Sequence, residues 1–176
     1  FLDTVGDLYE LLVAQEEKLV RAGAMTAEAL DAGKRVRAVL VGHTYPYIYG
    51  IHRHQETGEP YPIEWGHSNS NLDTVVPEDF GEGDVLIHCG YGPTTPANVQ
   101  GILDRGVRLI HTSPYGRMPG LPDDPRFLWF DLPWRPGDAS IDIPGYGARI
   151  CPTSSSVQTI AFHAILAELA EHMGWK

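Results

Sequence analysis

Four of the chain's eight histidines fall where a β-rich run gives way to a turn. His43 lies in Gly42-His43-Thr44 and His67 in Gly66-His67-Ser68-Asn69. His88 opens His88-Cys89-Gly90-Tyr91-Gly92-Pro93-Thr94-Thr95, and His111 opens His111-Thr112-Ser113. An imidazole titrates near neutrality, so a histidine placed against a ligand can take or give a proton. Hydroxyls accompany each turn. Thr44, Thr94, Thr95, Thr112 and Ser113 could hold a polyol or an anion, and the glycines beside them let backbone amides approach it. A histidine at the start of a loop is also an ordinary strand cap, and Thr95-Pro96 is an ordinary helix start with a capping hydroxyl followed by proline. Cys89 stands between a strand and a helix start. That position lowers a thiol's pKa when it is polar and suits an inert small residue when it is not.

A second hydroxyl cluster, Thr153-Ser154-Ser155-Ser156, opens the last helical pattern, where capping needs only one such group. Gln158 follows at the edge of the apolar arc. A buried amide there needs partners, and a ligand hydroxyl would serve. His163 lies on the flank of the same pattern. Tyr45, Tyr47 and Tyr49, after the first turn, offer a stacking surface for a sugar ring or a half-buried helix face.

The elements that must position these groups read as alternating strands and helices. Val5, Leu8, Leu12 and Leu19 recur at helical spacing to a stop at Gly23, and Thr26 reads as the N-cap of a short helix ending at Gly33. Five short apolar runs follow: 36–41, 61–65, 85–88, 107–111 and 127–130. Near-continuous apolar strands imply burial on both faces, hence a parallel sheet covered by helices. Residues 96–105 have the length of a crossover helix, closed by Gly106. The last helix is expected from about 155 to 173, with Phe162, Ile165, Leu166, Leu169 and Met173 on one arc. Residues 113–125 and 133–144 are dense in proline and glycine and read as loops. In such open sheets ligands bind outside the carboxyl ends of the strands, where the histidines and hydroxyls gather.

Composition limits the function classes. The chain has 176 residues, 43% apolar and 20% charged, with a net charge of -10. That is globular, has the size of a single domain spanning 1–176, and disfavours a nucleic-acid partner. An anionic ligand would need local help from helix N-termini and backbone amides. Two cysteines, no run of about 18 apolar residues and acids throughout the first segment predict a cytoplasmic protein without membrane or disulfide scaffold.

The order of these landmarks resembles one family. GDVLIHCGYGPTTPANVQGILDRGVRLIHTSP is similar to the strand, serine-rich turn, helix and strand of the sugar isomerase (SIS) phosphosugar-binding domains. GDASIDIPGYGARICPTSSSVQTIAFHAILAEL is similar to their late strand, PTS turn and final helix, and VLVGHT to their first strand and turn. The resemblance spans residues 3 to 173. It implies a three-layer, doubly wound, flavodoxin-like α/β fold with a five-stranded parallel sheet, in a homodimer or homotetramer. It also implies a sugar or sugar-phosphate ligand and aldose–ketose isomerisation, with sensing without turnover as the alternative. By the resemblance Gly42, Thr44, Cys89, Gly90, Tyr91, Gly92, Thr94, Thr95, Thr112, Ser113, Thr153, Ser154, Ser155 and Gln158 hold the ligand. His43 or His67 is the expected base, with Glu64 a weaker candidate. The chain departs from the family where Cys89 and Tyr91 stand at the serine positions of the phosphate loop. No cofactor is required. One branch of the family uses a metal, and His163 with His54 stand near its ligand positions, so zinc is a further expectation, with a metal-dependent enzyme using the histidine cluster as the reading that follows from it.

Overall fold

The computed structural model describes residues 2–40, 62–67, 72, 75–92, 94–133, 139–142, 144, 145, 147 and 149–175. Its helices are α1 (Leu2–Val13), α2 (Glu16–Asp31), α3 (Pro96–Asp104) and α4 (Thr153–Met173). Its strands are β1 (Val36–Leu40), β2 (Glu64–His67), β3 (Val85–Cys89), β4 (Arg108–Ser113), β5 (Phe127–Asp131), β6 (Ala139–Asp142) and β7 (Arg149–Pro152).

Strands β1 to β5 form one parallel sheet in the order β2-β1-β3-β4-β5. Side chains alternate between two apolar layers, as the pleat requires. Val36, Ala38, Leu40, Val85, Ile87 and Cys89 face a core built with α1, α2 and α4. Val39, Leu86, Leu109 and Trp129 face a second core built with α3. Both faces are therefore covered, which is why the strands read as unbroken apolar runs. The chain leaves β1 outward to β2 and returns to β3 on the other side of β1. This reversal makes the carboxyl ends of β1 and β3 the topological switch point, beside which ligands bind in sheets of this order.

Helix α3 forms where the sequence places it. The Thr95 hydroxyl accepts from the Asn98 amide at 3.2 Å, Pro96 occupies the first turn, and Gly106 follows the end at φ +80°. Helix α2 departs from expectation. It runs unbroken through Gly23 and Thr26, and the Thr26 hydroxyl donates to Ala22 O at 2.8 Å within the helix rather than capping a new one. Gly23 is there for contact, not termination. A Cβ on it would meet Glu168 of α4, whose backbone carbon would lie only 2.7 Å away. The true break comes earlier, between Val13 and Glu16.

Strand β2 begins three residues later than predicted and takes in Gly66 and His67. Gly66 fits because it has no side chain: a Cβ would lie 2.8 Å from the Arg37 guanidinium and 2.9 Å from Val39. Part of the predicted 133–144 loop is β6, which pairs antiparallel with β7. Its turn uses Gly145 and Gly147 at positive φ. Among the described residues no helix is long and apolar enough to cross a membrane.

The close α2–α4 crossing yields a stability prediction. Gly23→Ala forces the two backbones apart and lowers unfolding free energy by about 1–3 kcal/mol, the usual cost of overpacking. Urea unfolding of the variant checks this; an unchanged midpoint would mean that the crossing relaxes freely.

Candidate functional site

The carboxyl ends of the strands form one row across the sheet. His67 pairs with Leu40, Leu40 with Cys89, Cys89 with Thr112, and Thr112 with Phe130. Gly90 follows directly, its amide donating to Thr112 O at 3.0 Å. The turn into α3 therefore sits over the middle of the sheet.

On the α4 side of this turn lies a buried polar patch. Thr153, Ser154 and Ser155, the first residues of α4, are all buried, and Gln158 is fully buried one turn on. Ser155 and Gln158 are three apart and share a helix face. That face is fixed toward β3, because Gln158 Nε2 donates to Gly90 O at 3.1 Å. Gln158 Oε1 and Ser155 Oγ remain buried without a hydrogen-bond partner. Two such atoms on one face, at a strand's carboxyl end, mark a place where a hydroxyl-bearing ligand would be satisfied.

On the α3 side lies a second polar group that sequence reasoning did not assemble. His88 and His111 are paired across β3 and β4, with their rings stacked at 4.9 Å between centroids and 5° between planes. Their Nδ1 atoms are 2.9 Å apart, and His111 Nε2 is 2.9 Å from Thr94 Oγ1. One imidazole must donate and the other accept, and burial of both rings favours the neutral form of each. With His88 donating from Nδ1, His111 carries its proton on Nε2 and donates to Thr94. Burial pushes the pKa of His88 down to about 3, and burial together with His88 holds His111 well below its usual range. A Cβ on Gly90 would come 2.8 Å from His111 Cε1 and 2.9 Å from His88 Cε1, so only glycine fits over the pair. The signal was in the sequence: Val85-Leu86-Ile87-His88 and Arg108-Leu109-Ile110-His111 end on histidine at the same offset, and a parallel register brings such residues together.

The other expected site residues are distributed as follows. Thr112 and Ser113 are buried at the end of β4, with Ser113 Oγ accepting from the Tyr115 amide at 3.2 Å. Thr95 is exposed as the α3 cap, and Gly92 and Tyr91 are partly buried. Cys89 is a free thiol in the apolar layer, and burial pushes it up to about 12, so the strand-to-helix position does not activate it. Glu64 opens β2 at the opposite end of the sheet from the strands' carboxyl ends. Its carboxylate receives both Arg35 Nε at 2.5 Å and Nη2 at 3.0 Å, which fills it structurally. His163 is exposed, its Nδ1 hydrogen bonded to Thr159 O at 2.8 Å. Gly42, His43, Thr44, Tyr45, Tyr47, Tyr49 and His54 lie outside the described residues. Among the described residues no three His, Cys, Asp or Glu side chains gather as a metal site.

No family model matches the chain, and no curated protein matches it. Among solved structures it is similar to that of E. coli CFT073 c3406 in complex with arabinose-5-phosphate, at 18% identity and a TM-score of 0.48, over 97% of this chain and 92% of that one.

The histidine pair predicts a pH dependence. Each imidazole is neutral when folded and takes a proton near pH 6.5 when unfolded, so the unfolded chain binds more protons as pH falls below that value. Stability is complete above about pH 6.5 and is lost as pH falls toward 3, with a slope approaching about 1.4 kcal/mol per pH unit for each ring. Urea unfolding between pH 7.5 and 5, above the carboxylate range, measures it. A flat profile would show that the pair is not buried neutral.

Proposed function

We propose that the chain is a sugar isomerase-type domain that binds a sugar or sugar phosphate in the crevice at the carboxyl ends of β1 and β3. The observation that carries this reading is Gln158. Its amide nitrogen is spent on the Gly90 carbonyl, its oxygen is buried and unpaired, and the buried hydroxyls of Thr153, Ser154 and Ser155 precede it. A polyol matches such a patch, since each hydroxyl both donates and accepts. An apolar ligand would leave Gln158 Oε1 and Ser155 Oγ unsatisfied.

The same reading makes the domain an aldose–ketose isomerase. That reaction moves a proton between adjacent carbons through an enediolate, so it needs a base and an acid at the two oxygens. His67 closes β2 in the row that contains Cys89, two strand spacings or about 10 Å away. A sugar lying across the row would span that distance. His43 is the other candidate base. Glu64 has no part in the proposal, being held by Arg35 at the amino end of the sheet. The neutral His88–His111 pair supports the turn from below and carries no proton for the reaction.

Whether the ligand bears a phosphate depends on the turn after β3. The Cys89 thiol points into an apolar layer and offers an anion nothing. A phosphate would rely on backbone amides of the turn and on the α3 N-terminus.

Thermal-shift measurements with paired sugars and sugar phosphates test the reading. A ligand at about a hundred times its dissociation constant adds about 2.7 kcal/mol. Gln158→Met keeps the volume and removes both polar atoms, and it is expected to weaken binding at least tenfold, or about 1.4 kcal/mol. His67→Ala is expected to bind normally and lose at least about a hundredfold in isomerisation rate. Stabilisation without turnover by the parent protein identifies a sensor. No stabilisation by any sugar, or full binding by Gln158→Met, overturns the proposal.

A further inference from the structure

The open edge of the sheet carries a second polar feature of opposite character. A groove of about 420 Å³ runs along β5 beside the first half of α2, and Lys18, Arg21 and Arg117 line it. Three cations gathered in a chain of net charge -10 call for an explanation. Arg35, Arg37, Arg108 and Arg126 each have a carboxylate partner. Lys18, Arg21 and Arg117 have none within ion-pair distance among the described residues.

These cations are nonetheless fixed in place. Arg21 Nη2 donates to Pro125 O at 2.6 Å and Arg117 Nη2 to Pro122 O at 2.9 Å, so the two guanidiniums are anchored on one proline-bounded segment. Lys18 Nζ donates to Trp129 O and to Gln15 Oε1, each at 2.9 Å. Each cation keeps further N–H donors unspent. Partial burial lowers the Lys18 pKa, Asp131 works against this, and the nearby Arg117 charge lowers it further. Two carboxylates also line the groove. Asp124 is engaged by Arg126 at 2.7 Å, while Asp123 is exposed and neutralises none of the three at ion-pair range. Positive charge held rigidly by main-chain carbonyls loses little side-chain entropy on binding an anion.

We propose that this groove is a binding site for a phosphate group. Three spaced cations match the several oxygens of a tetrahedral phosphate better than the two of a single carboxylate, and guanidiniums recognise phosphate through paired donors. The groove's volume admits a small phosphorylated molecule. It lies along β5, two strand spacings or about 10 Å from β3, so it is separate from the crevice proposed to hold the sugar.

Titration calorimetry with inorganic phosphate at pH 7.5 and low salt tests the site, with acetate at matched ionic strength as the carboxylate comparison. We expect saturable phosphate binding that Arg21→Ala and Arg117→Ala each weaken at least tenfold, that Asp123→Asn strengthens, and that Gln158→Met leaves in place. Arg21, Arg117 and Asp123 are exposed, so their variants should keep the parent's circular dichroism and unfolding midpoint. Absence of phosphate binding overturns the proposal. So does binding unchanged in both arginine variants, binding lost in Gln158→Met, or acetate binding as tightly as phosphate.

Discussion

Because β3 runs through the middle of a sheet covered on both faces, every polar side chain at its carboxyl end must be satisfied by the protein or by something it binds. Burying an unpaired polar group costs on the order of 1–3 kcal/mol. The chain meets this constraint differently on the two sides of one strand end. Toward α3, His88 and His111 pair with each other and with Thr94, leaving a single imidazole nitrogen unpaired. Toward α4, Gln158 satisfies Gly90 and leaves its own oxygen and the Ser155 hydroxyl open. The first arrangement is closed on itself but for that nitrogen, and the second leaves two buried polar atoms open.

The glycine between them ties the two together. Gly90 must lie flat on the imidazole pair, since a Cβ would strike both rings, and its carbonyl must face Gln158. The turn after β3 is thus held from below by a neutral aromatic pair and from the side by an amide. Held on two sides, and with its amide donating to Thr112 O, Gly90 is fixed by the protein alone. Neutrality is part of this device: a protonated imidazole in that layer would need water that the layer excludes.

Much of this is legible in the sequence. Four of the five strands announce themselves as apolar runs, and Thr95-Pro96 marks α3, because local propensity and two-sided burial agree there. What local pattern misses is tertiary. Gly23 carries the mark of a helix end, yet it is a contact point, and nothing local distinguishes the two uses. Glu64 looks like a strand-end acid because the β-rich run begins at Tyr61; with the strand beginning at Glu64, the residue moves to the amino end and into the Arg35 pair. The β6–β7 hairpin hides in a stretch where proline and glycine outweigh short strands. The serines and Gln158 stand out in the sequence as a hydroxyl cluster with a buried amide. That they meet Gly90 is a matter of how α4 docks, which no periodicity encodes.

The net charge of the chain is a poor guide to what either site can take. Acidity spread over a surface is screened within about 8 Å at physiological ionic strength, so a ligand responds to the few groups it touches. At the proposed crevice the described groups beside the strand-end histidine are buried hydroxyls and an amide, which discriminate by hydrogen-bond geometry and tolerate salt. Along β5 they are cations whose carbonyl anchors fix them against mutual repulsion. Hydrogen-bonding groups suit the recognition of a sugar's hydroxyl pattern, and fixed cations suit the recognition of charge. On the two proposals, the crevice would answer to stereochemistry and the groove to ionic form.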